Sequence, residues 1–147
     1  KGIESKVQLY KKHLLVYRID YNEYTGGAHG IYLSTFLNMD LRRLSPVRLD
    51  DLFVNDYKEP LTDLLWNQLM ADNNVATRQE LEDLGYGSTG ELEPTENFYL
   101  TPEGITFYYN VYEMTPYVMG PTEIAMPYEA VQHLLSDVNG ILSSVKE

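Results

Sequence analysis

Apolar and polar residues alternate through the first forty positions, the pattern typical of β-strands. Two such runs, 6–10 and 14–24, flank the polar segment 11–13 and predict a hairpin with His13 in its solvated turn. A third run, Ile31–Asp40, predicts another antiparallel strand. The second run has an apolar face made of Leu15, Tyr17, Ile19 and Tyr21. Because side chains alternate across a strand, we expect that face to lie on the core and the face of Arg18, Asp20 and Asn22 to meet water.

The middle of the chain changes to helical spacing. Leu61, Leu65 and Leu69 recur every four residues and predict a core helix from near Pro60 to near Asn73. A T-x-x-E capping box at residues 77–80 predicts a shorter helix over 78–84, which the glycine at 85 ends. Residues 85–96 have no period and predict a mobile loop.

The last third of the chain returns to strands. Residues 98–100 precede a predicted type I turn over 101–104, and alternation then continues from Ile105 to Tyr112. A final strand is expected over 122–126, followed by a helix that begins at Pro127 and places Tyr128, Val131, Leu134 and Leu135 on one side. This order predicts one α+β domain over residues 1–147, with a mostly antiparallel β-sheet packed against helices on one face.

Composition restricts the partners that this domain can have. Eleven basic and 22 acidic residues give a formal net charge of −11, which opposes binding to nucleic acid or to anionic lipid. The chain has no cysteine, and no run of about 18 apolar residues predicts a membrane span. Thirteen tyrosines suit a half-exposed sheet or a recognition surface, because the ring packs while the hydroxyl stays in water.

Residues 24–30 place three glycines around one histidine between two strands. Gly26, Gly27, His29 and Gly30 form either a tight hairpin connection or a shaped surface loop, and we expect Gly27 to need a positive φ. A second candidate loop runs through Pro116, where the proline either bends the chain after a strand or helps to form a binding surface.

No residue pattern predicts catalysis, a metal site or a cofactor. The three histidines lie far apart, and no H-x-x-x-H or H-E-x-x-H spacing is present. Glu91, Glu93 and Glu96 lack a calcium-loop pattern, and no serine lies in a G-x-S-x-G setting. We therefore predict no catalytic, metal-binding or cofactor-binding residue and no cofactor.

Several motifs together resemble a known family. They are Asp51-Leu52-Phe53, the segment 100–107, Val111-Tyr112-Glu113, Pro116-Tyr117-Val118-Met119-Gly120 and the segment 124–128. In order and spacing they resemble the C-terminal extracytoplasmic domain of RsiV-type lysozyme-sensing anti-sigma factors, over residues 14–135. Similar domains accompany peptidoglycan deacetylases and occur in uncharacterised bacterial lipoproteins.

This resemblance implies a binding surface and a location. In the lysozyme-sensing relatives, loops of this domain approach the active-site cleft of the enzyme. The matching candidate surface here is Gly26, Gly27, His29, Tyr112, Pro116, Tyr117 and Gly120. The resemblance implies a periplasmic or extracellular fragment of a longer secreted or envelope protein, lipid-anchored through a removed N-terminal segment.

Our leading hypothesis is a non-catalytic binding or sensor domain without a cofactor. Its expected partner is a basic protein such as a lysozyme-type muramidase, or a cell-wall glycan. The alternative is a glycan-directed hydrolase or deacetylase module, in which the tyrosine-rich face binds sugar and two acidic residues act as acid and base.

Overall fold

The computed structural model describes residues 1–24, 26–27 and 30–146. These residues form two antiparallel β-sheets, of four and three strands, together with five α-helices. The predicted α+β class with antiparallel sheets is confirmed.

The first sheet follows the chain order. Its strands are β1 (Gly2–Lys11), β2 (Leu14–Glu23), β3 (Ile31–Asp40) and the short β4 (Ser45–Pro46). The predicted hairpin is present, and its two-residue turn places Lys12 at a φ of 52°. A β-bulge interrupts β1 between Val7 and Leu9, and bulges of this kind locally increase the twist of a strand.

The faces of β2 are the reverse of the prediction. Leu14 and Val16 are fully buried, and Arg18 lies on the same inner face. The apolar residues expected in the core lie instead on the opposite face, which we call the outer face. From the strand register, the outer face contains the apolar residues Ile3, Val7, Tyr10, Leu15, Tyr17, Ile19, Tyr21, Ile31, Leu33, Leu37 and Met39, together with the polar residues Ser5, Glu23 and Thr35.

The second sheet contains β5 (Phe98–Leu100), β6 (Gly104–Tyr109) and β7 (Thr122–Pro127). The turn predicted over 101–104 joins β5 to β6, with the Thr101 N–H donating to the Gly104 carbonyl at 2.9 Å. The strand predicted to reach Tyr112 ends at Tyr109, because a turn follows in which the Asn110 N–H donates to the Glu113 carboxylate.

Three helices lie between the sheets in sequence. They are α1 (Leu49–Leu52), α2 (Lys58–Asp72) and α3 (Arg78–Leu84). The capping box of α3 is formed as predicted, since Thr77 accepts the Glu80 N–H and Glu80 reaches back to the Thr77 N–H. Gly85 ends the helix with a φ of 118°, a conformation that glycine adopts without steric penalty.

The C-terminal helix is much shorter than predicted. Helix α4 (Tyr128–Val131) has four residues, and a 3₁₀ turn over 132–134 follows it. Leu135 is extended and forms an isolated bridge with Phe53, so it does not continue the apolar side of a helix. Helix α5 (Leu142–Lys146) begins after Gly140, whose φ is 66°. Among the described residues, no helix has the length and apolar character needed to cross a membrane.

The hydrophobic core lies between the helices and one face of the second sheet. Its fully buried members include Leu61 and Leu65 of α2 and Phe98, Phe107 and Ile124 of the sheet. The stripe of leucines predicted from helical spacing therefore packs in the core, as expected.

Side-chain amides join the two sheets edge to edge. Asn97 accepts the Phe36 N–H at 2.9 Å and donates to the Ser34 carbonyl at 3.0 Å. Asn38 does the reverse, because it donates to the Phe98 carbonyl at 2.8 Å and accepts the Leu100 N–H at 2.9 Å. Each amide supplies a donor and an acceptor as a neighbouring strand would.

The loop over 85–96 is anchored, in contrast to the mobile loop expected from its sequence. Leu92 is buried in the core, and the Gly87 N–H donates to the Met114 carbonyl at 2.9 Å. The hydroxyl of Tyr109 donates to the Glu93 carbonyl at 2.6 Å. These contacts hold the loop against the end of β6.

Candidate functional site

A tyrosine-lined cleft lies where β3, the end of β6 and the loop 116–121 meet. Its volume is about 360 Å³. Side chains of these three segments and of the turn after β6 line it: Tyr32, Ser34, Tyr108, Val111, Tyr117, Val118, Met119 and Pro121, with Gly120 contributing backbone. A cleft of this size and composition can hold one small organic ligand against aromatic rings.

The loop that closes one side of the cleft has a defined backbone. Residues 117–119 form one 3₁₀ turn after Pro116, and Gly120 follows with a φ of 71°. The Thr115 hydroxyl donates to the Gly120 carbonyl at 3.2 Å, which ties the two ends of the loop together. Glycine suits residue 120 because a side chain there would occupy a disfavoured φ.

Ser34 connects the cleft to a charged pair on the inner face of the first sheet. Its hydroxyl donates to Asp20 at 2.6 Å, and Arg18 binds the same carboxylate at 2.9 Å. The hydrogen bond from Ser34, followed by those from Arg18, holds the pKa of Asp20 below its usual range despite partial desolvation. Asp20 therefore stays ionised at neutral pH and fixes the Ser34 hydroxyl as a donor to it.

An aromatic cluster supports the wall of the cleft. Phe36 packs against Tyr99 and Tyr108 with ring centroids 4.6 Å and 5.1 Å away. The Arg18 guanidinium lies 5.3 Å from the Phe36 centroid. Burial, together with a 2.5 Å hydrogen bond to Glu123, raises the pKa of Tyr99 to about 12. This hydroxyl is therefore neutral and serves as a donor across the sheet.

The structure brings part of the predicted surface to this cleft. Tyr117 and Gly120 line it, and Pro116 precedes the 3₁₀ turn that carries Tyr117. The ring of Tyr112 lies 6.0 Å from that of Tyr117, and 58% of Tyr112 is exposed. Four of the seven predicted residues therefore gather around one end of β6.

Of the glycine loop over 26–30, the structure describes only residues 26, 27 and 30. Gly26 and Gly27 are exposed, and His29 lies outside the described residues. Gly26, rather than Gly27, has a positive φ, of 88°, so the conformation expected at Gly27 was wrong. A Cβ at residue 30 would lie 3.1 Å from the ring of Tyr32, which places this end of the loop beside the cleft.

Sequence reasoning missed Tyr32, Ser34 and Tyr108 as lining residues. In sequence they are ordinary members of alternating strands, and only the edge-to-edge placement of the sheets brings them together. The excess of tyrosine over phenylalanine, 13 against four, was the available signal that some rings serve a surface.

A second, acidic groove runs between α2 and the loop 85–92. Its volume is about 590 Å³, and Glu82 and Glu91 line it together with Trp66 and Tyr86. Arg78 lies over the Trp66 ring at 5.3 Å and pairs with Asp63 at 2.7 Å. Within the described ranges, no three histidine, aspartate or glutamate side chains are grouped so as to hold a metal ion.

A family model described as "Protein of unknown function (DUF3298)" matches residues 50–129, more than half of the chain. The chain belongs to the DUF3298 family. Its match begins in α1 and ends in α4, so it includes β6 and the loop 116–121 that form two sides of the cleft.

A member of the DUF3298 family from Bacteroides fragilis has a similar crystal structure. The two chains are 68% identical with a TM-score of 0.94, over 97% of this chain and 56% of the Bacteroides chain. A DUF3298 protein from Pseudomonas aeruginosa has the same fold, with a TM-score of 0.73 and 23% identity over 91% of this chain and 61% of its own.

Curated relatives are more distant and longer. The peptidoglycan-N-acetylmuramic acid deacetylase PdaC of Bacillus subtilis is 23% identical over 92% of this chain, which spans 29% of PdaC. Immunogenic protein MPT64 of Mycobacterium tuberculosis is 25% identical over 76% of this chain and 47% of its own length. The chain therefore spans less than half the length of either protein, and a domain related to it forms part of a peptidoglycan deacetylase.

Proposed function

We propose that this domain is a non-catalytic binding module of the cell envelope, and that its tyrosine cleft holds a cell-wall glycan. The cleft itself carries the proposal, because three tyrosines, Tyr32, Tyr108 and Tyr117, line it together. Aromatic rings pack against the apolar faces of sugar rings, while hydroxyl groups at the edge of a pocket bind sugar hydroxyls.

The relation to part of PdaC supports the choice of ligand. PdaC is named for its action on peptidoglycan, and this chain matches a minor share of it. A module that binds the same polymer would keep its protein on the cell wall and raise the local concentration of substrate. The corresponding location is periplasmic or extracellular, and lipid anchoring belongs to this proposal as an expectation.

A second candidate partner is a basic lysozyme-like protein, as in an RsiV-type sensor. The specific observation that favours it is the exposed rim of the cleft, where Val118 is 89% exposed beside Tyr112 and Tyr117. Exposed apolar and aromatic side chains on a loop suit a protein interface, and the net charge of −11 suits a basic partner.

The test uses N-acetylglucosamine tetramer and fragments of purified peptidoglycan as probes, with binding followed by calorimetry. We expect saturable binding that Tyr117→Ala weakens at least tenfold, since a central aromatic anchor is typically worth ~2 kcal/mol or more. Tyr10→Ala is the matched control, because Tyr10 is exposed on the outer face of the first sheet and away from the cleft.

Two results would count against the proposal. Absence of saturable binding to either probe, with the fold intact by circular dichroism, would remove the glycan as ligand. Release of shortened or deacetylated sugar, detected by mass spectrometry, would favour the enzyme alternative, and the acidic groove with Glu82 and Glu91 would then be the first place to look for its carboxylates.

A further inference from the structure

The outer face of the first sheet is a largely apolar surface that no other layer of the described residues covers. Its members extend across β1, β2 and β3, and Ile3 and Val7 are 68% and 52% exposed. Among the described residues, none of the outer-face side chains belongs to the hydrophobic core or packs against it. Soluble domains rarely expose contiguous apolar patches of this extent unless something covers them.

The polarity of the two faces supports the same conclusion. The inner face of this part of the sheet carries Arg18, Asp20 and Ser34, whereas the outer-face residues that alternate with them are tyrosine, isoleucine and leucine with one threonine, Thr35. A strand with one apolar face normally turns that face to a packed layer. Among the residues that the structure describes, the hydrophobic core includes no side chain of the outer face, so no such layer is present there.

We infer that a further layer of polypeptide of the same protein covers the outer face. Specifically, we propose that this layer corresponds to the part of the longer DUF3298 proteins to which this chain does not align. The Bacteroides fragilis member shares 68% identity with this chain, yet the match covers only 56% of it. Polypeptide that could form a covering layer is therefore present in a close relative of this fold.

The size of the face favours a tethered layer over a second copy of this chain. Three strands about 4.8 Å apart and ten residues long give a face of roughly 15 Å by 33 Å, or about 500 Å². Two copies packed through it would bury about 1,000 Å² in total, below the ~1,200–2,000 Å² of stable specific interfaces. A segment of the same protein has a high effective concentration and does not need that area.

The absence of cysteine from the chain permits a direct test by thiol labelling. Val7→Cys and Leu33→Cys place one thiol each on the outer face, and Lys6→Cys places one on the opposite, exposed face of β1. Each variant is made in this chain alone and in this chain joined, in native order, to the unmatched part of the Bacteroides fragilis member. The rate of reaction with a maleimide is measured for both.

We expect both outer-face thiols to react at least tenfold more slowly in the joined protein, with the Lys6→Cys rate changed less than twofold. Outer-face thiols that react as fast in the joined protein as in the isolated chain would overturn the proposal. Protection already present in the isolated chain, with a dimer found by light scattering, would identify a second copy as the occupant and also overturn it. As a safeguard against misfolding of the joined protein, the same three positions are labelled in the Bacteroides fragilis member, freed of any cysteine of its own.

This result is independent of the proposed glycan site. The thiol rates report only on cover over β1 and β3, whereas glycan binding is read from the Tyr117→Ala comparison. A negative result for the covering layer therefore does not affect the proposed glycan site, and a negative result for glycan binding does not affect the covering layer.

Discussion

Single residues show where local sequence signals are sufficient. Thr77 and Gly85 fix the ends of α3 as predicted, because a capping box and a C-terminal glycine act within one helical turn. Gly104 was predicted only as the last residue of a turn. In the fold it also lies against β7, where a Cβ would overlap the carbonyl oxygen of Met126, and this contact depends on a strand some twenty residues away.

Gly104 and Gly27 give a matched pair of substitutions. Gly104→Ala should lower the free energy of unfolding by about 1–3 kcal/mol, because the added methyl group must displace backbone. Gly27→Ala should change it by less than about 1 kcal/mol, because residue 27 is exposed, has no positive φ, and has open space around its Cβ position. Urea denaturation of both variants measures the difference, and equal stabilities would show that β7 can move away from residue 104 at little cost.

Whether a segment forms a helix or a strand was predictable from the sequence, whereas its length or the face that it buries often was not. The order of strands and long helices follows from hydrophobic period, and α2 and β3 lie where expected. The face of β2 was assigned wrongly because its strongest apolar alternation points away from the core of this chain. The same alternation is explained if a further layer covers the outer face, as we propose. The C-terminal helix was predicted to be too long because the leucines at 134 and 135 fit a helical period, whereas Leu134 ends a 3₁₀ turn and Leu135 is extended.

The contact between the two sheets had no signal in the sequence, and it supplies a prediction. Asn97→Ala should lower the free energy of unfolding by about 2 kcal/mol or more, since it leaves the Phe36 N–H without its amide acceptor and removes a donor from the Ser34 carbonyl. Asn22→Ala is the control, because Asn22 is an exposed asparagine of the first sheet, in β2. Both are measured by denaturant unfolding. A loss no larger than that of the control would mean that water replaces the amide without cost.

Because the same amide bridge positions Ser34, it also links the fold to the candidate site. Asn97 and Asn110 both donate to the Ser34 carbonyl at 3.0 Å, so the cleft forms only where the sheets meet. The loop residues Tyr117 and Gly120 could be proposed from the family resemblance, since they follow each other closely in sequence. Tyr32 and Ser34 come from the other sheet, and their place in the cleft requires the tertiary fold.

For the whole molecule, charge is distributed unevenly along the chain. Residues 1–43 contain seven basic and four acidic side chains, whereas residues 44–147 contain four basic and eighteen acidic ones. The acidic excess therefore belongs to the helices, the loop 85–96 and the second sheet. A basic partner would be attracted to that part of the protein, which includes the loop 116–121, while the first sheet contributes little to the attraction.

This distribution gives the last prediction, which tests the second candidate partner. If a basic lysozyme-type protein binds at the rim of the cleft, its association rate should fall steeply as salt rises, because exposed charges act over about a Debye length, ~10 Å at 0.1 M salt. Tyr117→Ala should mainly raise the dissociation rate, since a buried aromatic anchor is typically worth ~2 kcal/mol, about thirtyfold in affinity. Surface plasmon resonance over a salt series measures both rates, with a protein of neutral surface as control.

The two rates separate recognition from nonspecific attraction. Binding that depends on salt and is unchanged by Tyr117→Ala would mean that the acidic surface alone attracts the basic protein, without use of the cleft. No saturable binding at low salt would exclude the lysozyme-type partner for this member of the family. A faster dissociation of Tyr117→Ala than of the unchanged protein, at every salt concentration, would instead place the partner on the 3₁₀ turn. In that turn Val118 is the most exposed large apolar side chain of the described residues.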